Sequence, residues 1–244
     1  MKICYDFHIH SCLSPCGDSE MTPNNIVNMA MLSGLNAIAL TDHNTCGNCA
    51  ATAEVAKQAG LIFLAGMELC TAEEIHVVCL FPTVDAAERF EREVVAPARP
   101  PIQNRAEIFG EQVICDAEDE VMGYEPILLT TATAIGIDEV AARVRAYGGT
   151  AFPAHIDRPS YSVIASLGTL PPLPFAAVEI SDSGDIQALK AAHGEIGDKP
   201  LLRNSDAHYL ENIHEAEAYL DLPDGSAQTI IDAIDGKFSF EWKR

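Results

Sequence analysis

The sequence predicts an α/β fold in which helices cover a mainly parallel sheet. Two observations carry that expectation. Apolar runs of strand length alternate with helix-like segments along the 244 residues, as crossover units require. Glycines stop several of the helix-like segments, and no fixed period repeats along the chain. A third observation concerns chemistry. Six of the eight histidines stand at the start or end of an apolar run.

In chain order, KICYDF reads as a buried strand. Pro23 to Ser33 reads as a helix: its apolar positions recur at helical spacing, Thr22 can cap it, Pro23 fits its first turn and Gly34 ends it. NAIALTD is the next strand and ATAEVAKQAG the next helix, stopped by Gly60. LIFLAGMEL and IHVVCLF are two further strands. IDEVAARVRAYGG is an amphipathic helix with a glycine stop. TAFPAHI and FAAVEIS are strands, with helix DIQALKAAHG following the second. PLLRNSDAH is a strand with its exit, and SAQTIIDAIDG the last helix. Between Asp85 and Glu125 the chain is charged and broken by proline. We expect one domain over residues 1–244 with an insertion or lid at about 85–135. The ERFEREV stretch within it reads as a solvated helix face.

The chain is 48% apolar and 21% charged, enough for a sizeable core. Its net charge of −21 opposes a phosphate backbone, so long nucleic acid is not an expected partner. A small anionic substrate held by bound cations is compatible with that charge. MKICYDF turns polar within a few residues, and no apolar run approaches the roughly 18 residues that cross a bilayer. The expected setting is therefore cytoplasmic and without membrane, for a monomer or small homo-oligomer. The eight cysteines are then expected as thiols. Cys46-Gly-Asn-Cys49 with Cys12 and Cys16 leaves a thiolate metal site or redox pair as the alternative.

His8 and His10 end the first strand, and residues two apart in an extended chain face one side. Asp42 and His43 end NAIAL, Glu68 ends LIFLAGM, His76 begins the next strand and His155 ends TAFPA. Asp206 and His208 end LLRNS. In parallel α/β folds, that carboxyl edge is where sites form. Burying so many imidazoles and carboxylates together without cations would be costly. Their donor types suit Zn²⁺, Fe²⁺ or Mn²⁺. His193 and His214 lie in helix-like or loop contexts and are left out of this set.

The segments HIHS, SPCGDSEMTP, ALTDHN, GMEL, HVVCLF, PAHIDRP and NSDAH, in this order, resemble the motif set of the PHP (polymerase and histidinol phosphatase) family. The resemblance implies a distorted (β/α)7 TIM-like barrel, two or three divalent ions at the strands' carboxyl ends, and phosphoester hydrolysis by a metal-bridged hydroxide. It implies one metal on His8, His10, Glu68 and Asp206. A second would take Asp18, His43 and Glu68, and a third His76, His155 and His208. Asn44 stands where some relatives carry an aspartate. Asp42 is expected either to orient a histidine or to cap a helix. His155 or His208 is expected as general acid. Arg158, and after it Arg203, are expected to bind phosphate unless they form surface ion pairs. The expected substrate is a small phosphorylated metabolite, with a nucleoside mono- or bisphosphate preferred. Alternatives are histidinol phosphate, a short-oligonucleotide 5'-3' exonuclease role and a non-catalytic metal-binding module.

Overall fold

A computed structural model describes residues 1–181, 183–217, 219–237 and 241–243. β1 (Lys2–Ile9) is followed by α1 (Pro23–Leu32), β2 (Ala37–Leu40), α2 (Cys49–Ala59), β3 (Ile62–Cys70), β4 (His76–Phe81) and α3 (Val84–Phe90). The middle of the chain holds α4 (Ala106–Phe109), β5 (Val113–Cys115), β6 (Val121–Tyr124) and α5 (Ile137–Arg145). Then come β7 (Thr150–Pro153), α6 (Val163–Leu167), β8 (Val178–Ile180), α7 (Ile186–Ala192) and β9 (Leu201–Arg203). β10 (Tyr219–Asp221), α8 (Ala227–Ile234) and β11 (Glu241–Lys243) complete the described elements.

Seven strands form one curled sheet in the order β11-β10-β1-β2-β3-β4-β7, and β8 pairs with β9. The pairs β1–β2, β2–β3 and β8–β9 are parallel. The expected (β/α)7 alternation is not what the strands show, and the sheet is a half-barrel of mixed direction. β4 follows β3 through residues 71–75 and runs antiparallel to both β3 and β7. A connection that short turns the chain back on itself, whereas a parallel return needs a dozen residues or more. The reversal has one consequence for chemistry: the start of β4, His76, falls beside the carboxyl end of β3, where Cys70 is its register partner.

Strands β2 and β7 are buried at every position, as runs covered on both faces must be. On one face Ile38, Leu40, Met67, Val77 and Phe81 pack with Ile26 and Val27 of α1, Val55 of α2 and Val140 of α5. On the other, Tyr5, Phe7, Leu64, Val78 and Phe152 pack with Ile230, Ile231 and Ile234 of α8. Burying such side chains contributes about 1.5–3 kcal/mol each.

The segment expected as an insertion divides in two. Residues 84–95 continue the fold, with Phe90 and Val95 fully buried. ERFEREV is accordingly not only a solvated face: Glu91 accepts from the Cys46 N–H at 2.8 Å and the Thr45 hydroxyl at 2.9 Å. Beyond it, the β5–β6 hairpin and its flanks lie against the strand-end loops. Thr22 makes no side-chain cap for α1. Asp119 does that work from the hairpin, accepting from the Asn24 N–H at 3.0 Å and the Thr22 hydroxyl at 2.8 Å. Asn44 ties the same region down. Its amide donates to Leu129 O and Thr131 O, and its Oδ1 accepts from the Cys70 N–H. Among the described residues, no helix is long and apolar enough to cross a membrane.

Candidate metal centre

The register of β1 against β2 shifts between Asp6 and Ile9. Phe7 packs with α8, yet Ile9 packs with the helices of the opposite face. The irregularity breaks the alternation and re-aims the histidines, a common use of bulges beside sites. His8 and His10 are both fully buried, with their Nε2 atoms 3.2 Å apart. Asp206 Oδ1 stands 3.3 Å from the first and 3.1 Å from the second. Glu68, at the end of β3, completes the group: its Oε1 is 3.2 Å from His8 Nε2. The same Oε1 is 2.9 Å from His76 Nδ1 and 3.2 Å from His155 Nε2, while Oε2 is 2.9 Å from His43 Nδ1.

Three sets of donors therefore lie close enough to hold an ion: His8, His10, Glu68 and Asp206; His43, Glu68 and His76; and His10, His43 and His208. Tyr161 stacks on His76 at 4.7 Å between ring centroids. The backbone around the rim is strained. Asn44, His155, Tyr161 and Asp206, none of them glycine, all have positive φ, a cost that surrounding contacts must offset. Burial pushes the Glu68 carboxyl up, but His76 and His8 outweigh it and hold it well below the ordinary range. Asp206 is likewise held low by His8 and His10 against its burial. Burial and the charges of His208 and His43 push His10 well down. Against its burial, Glu179, Asp206 and Glu68 push His8 well up, so a cation bound here would displace a proton from that imidazole.

A family model described as PHP domain matches residues 6–151. The chain belongs to the PHP domain family. Among curated proteins, it is 35% identical over 79 residues to a 5'-3' exoribonuclease of Haemophilus influenzae, covering 31% of this chain and 28% of that protein. It is 29% identical over 116 residues to the 5'-3' exoribonuclease Rnm of Salmonella typhimurium, covering 46% and 38%. The chain thus spans about a third of these relatives' length. Among solved structures, a lesion-specific endonuclease from Pyrococcus furiosus superposes with a TM-score of 0.72 at 19% identity, over 99% of this chain and 58% of that one. That likeness is one of fold.

The residues of this PHP domain fit divalent ions on a structural observation. Glu68 Oε2, Asp206 Oδ1 and His43 Nδ1 are buried and make no hydrogen bond. Acceptor atoms that face one another in this way call for a cation between them. The grouping differs from the expected one in three respects. His155 is in none of the three sets, and only its Nε2 approaches Glu68 Oε1, at 3.2 Å. His208 lies with His10 and His43, not with His76 and His155. Asp18 is outside all three sets: its carboxylate accepts from the Glu20 N–H at 2.9 Å and closes a turn. Cys16 is likewise outside the three sets, but its Sγ stands 3.2 Å from His43 Nε2. Burial pushes the Cys16 thiol up, but hydrogen bonds from His208 and His43 outweigh it and bring the thiol down to about 6.

Asp42 does not reach the rim and caps no helix. It is buried and accepts from the Ser11 N–H, the Ser11 hydroxyl at 2.6 Å and the Ser14 hydroxyl at 2.7 Å. Ser14 in turn accepts from His10 Nδ1 at 2.9 Å, which leaves the lone pair of Nε2 for the site. Arg158 donates to Asp206 from an exposed position. Arg203 is buried and donates to Ser181 O and Gly184 O. The thiols do not gather: Cys46 lies on Glu91, Cys49 on Leu40 O, and Cys12 is 3.6 Å from Cys115.

Two functional residues escape sequence reasoning. Glu179, on β8, is 1% exposed; both its oxygens face His8 Nδ1, at 3.0 and 3.1 Å. It also accepts from the His155 N–H at 2.9 Å and from Asn204 Nδ2 at 2.6 Å. Asn204 Oδ1 accepts from the Phe7 N–H. The pair fixes the tautomer of His8 and ties three strands together beneath the rim. The one signal in the sequence is a lone glutamate inside the apolar run FAAVEIS.

Proposed function

We propose that the chain is a metal-dependent phosphoesterase of small phosphorylated metabolites, with nucleoside mono- or bisphosphates as the preferred class. One observation supports this most. Arg158 and Asp206 join the cluster of imidazoles and carboxylates to a cavity of about 620 Å³, whose wall sets Arg203, Ser181 and Ser205 against Glu211, Glu215 and Glu217. A phosphoryl group and the body of a nucleotide need such a pair of adjoining spaces. In this reading the whole chain is one domain, and residues 99–135 form the cover at one side of the site.

His8, His10, Glu68 and Asp206 would hold one divalent ion (Zn, Mn or Fe), and His43, His76, His155 and His208 would hold one or two more with Glu68. When bound, such ions supply an acidified water as nucleophile and neutralise charge on the phosphoryl oxygens. The remaining work falls to the chain. Arg158 swings from Asp206 to grip two phosphoryl oxygens at once. Arg203 holds the cavity wall in place through Ser181 O and Gly184 O. Where it holds no ion, His208, the most exposed of the rim imidazoles at 22%, gives a proton to the leaving alkoxide, with His155 the other candidate on the same condition. Asp42, through Ser14, keeps His10 in the binding tautomer.

A second reading, a 5'-3' exonuclease of short oligonucleotides, is favoured by the names of the two curated relatives. Both readings are tested together. The protein is stripped with a chelator and reloaded with Mn²⁺, Zn²⁺ or Fe²⁺. It is then screened on nucleotides, histidinol phosphate and short oligonucleotides, with metal content measured on the same sample. The expected result is phosphate release that chelation abolishes and metal restores, fastest on nucleotides. Full metal content with no turnover of any phosphoester would leave only a metal-binding module.

A further inference from the structure

We propose that Cys16 is a thiolate ligand to a cation held by His43 and His208. The proposal rests on the metal-dependent reading above and adds a donor of different chemistry to it. The loop after β1 is built to deliver this sulfur. The Ser14 N–H donates to Ser11 O at 3.1 Å and the Gly17 N–H to Ser14 O at 2.8 Å, so the chain doubles back twice in seven residues. A Cβ at position 17 would stand 2.4 Å from Ser11 O, so only glycine lets the turn close. Past the turn, the Asp18 N–H donates to His208 O at 2.9 Å and fastens the loop beside that histidine.

The result is that Cys16 Sγ lies 3.2 Å from His43 Nε2. Each of these histidines has one ring nitrogen directed elsewhere. His43 Nδ1 faces Glu68 Oε2, and His208 Nδ1 faces Asp206 O at 2.9 Å. The second nitrogen of each is left for the site, and His10 lies with them in a set whose donor atoms are all within 4.8 Å of one another. Apart from the sulfur, ring nitrogens of His10, His43 and His208 already form a donor set of their own. Glu68 Oε2, buried and without a hydrogen bond, lies on the Nδ1 side of His43 and belongs to the neighbouring set. Of the eight cysteines, Cys16 alone is exposed. Asp18, the carboxylate expected in this role, is already engaged in its own turn.

On binding, the S–H bond breaks, its proton leaves to solvent and the sulfur pair forms the bond to the cation. No oxidant is involved. A thiolate with two or three imidazoles is a softer donor set than one completed by a carboxylate. It selects Zn²⁺, Fe²⁺ or Co²⁺ over Mn²⁺ and Mg²⁺.

The test uses the full chain, stripped with a chelator and reloaded with Co²⁺ alone. The native protein should show a thiolate-to-cobalt charge-transfer band in the near ultraviolet. Cys16→Ser should lack the band. Cys16→Asp should bind cobalt without it and move the preference for Zn²⁺ over Mn²⁺ toward Mn²⁺ by about tenfold or more. A second measurement needs no variant. Alkylation of Cys16 in the native protein, read by peptide mass spectrometry, should slow by about tenfold or more when Zn²⁺ or Co²⁺ is bound. An unchanged band in Cys16→Ser, or equal alkylation with and without cation, overturns the proposal. Cobalt uptake with no thiolate band in the native protein removes Cys16 as ligand and leaves the metal-dependent reading standing. No uptake of Co²⁺, Zn²⁺ or Mn²⁺ removes both.

Discussion

Glu68 is the side chain that the rim shares. Its two oxygens lie within 3.2 Å of ring nitrogens from His8, His43, His76 and His155. Glu68→Ala, and Asp206→Ala beside it, should lower turnover by about 10³-fold or more and reduce bound metal, since ligand and charge go together. His193 closes α7 away from this set, so His193→Ala should change turnover by no more than about twofold. Equal damage from both substitutions would break the division of the histidines made here. Glu179→Gln tests the layer beneath. It keeps the shape but replaces a carboxylate oxygen, facing donors from His8, His155 and Asn204, with an NH₂ group. Turnover and metal affinity should fall about 10–100-fold, and unchanged values for both would make Glu179 a merely structural residue. The rim histidines were legible because a polar imidazole closing an apolar run stands out locally. Glu179 was not, because its meaning depends on a partner 171 residues away in sequence. Cys16 was grouped with Cys12, Cys46 and Cys49 and not with the rim histidines, since nothing in SPCGD shows which of its side chains the turn points inward.

Strands and helices were more legible than their directions. Apolar length and glycine stops located β1, α1, β2, α2, β3, β4, α5 and β7, because those signals are local. Period alone does not say whether neighbours run parallel, and the antiparallel β4 follows from the short turn at 71–75. The segment after α3 was legible only as a break in pattern, because its anchors are single contacts on distant loops. Gly110 is the sharpest of them. Its φ is +102°, and a Cβ there would stand 2.0 Å from Pro15 O, next to Cys16. Gly110→Ala must strain its own backbone or push the segment off the loop, a cost of about 1–3 kcal/mol. For a chain of this length, that lowers Tm by roughly 2–12 °C. The loop should also loosen, so Cys16 should be alkylated faster than in the native protein. An unchanged Tm in Gly110→Ala would mean that this segment does not bear on the loop.

Across the whole molecule, 36 acidic side chains face 15 lysines and arginines, yet the proposed substrate is an anion. The two facts are compatible only if attraction is local, from bound cations and from Arg158 and Arg203, while the surface at large repels. Size then decides what enters. A mononucleotide feels mainly the site, whereas a long strand lies across acidic surface and is repelled along its length. Salt separates these contributions. Raising ionic strength from 0.01 to 0.1 M shortens the screening length from roughly 30 to 10 Å, which weakens surface repulsion and leaves buried contacts nearly as strong. With metal saturating, kcat/KM on a long single strand should therefore rise with salt, while that on a nucleoside monophosphate stays nearly level. A protein that tracks the phosphate backbone with basic residues shows the opposite slope, because each phosphate it neutralises releases counterions. A steep fall in kcat/KM on the long strand with added salt would mean that this acidic chain carries a positive track for nucleic acid, and the small-metabolite reading would give way to a nuclease.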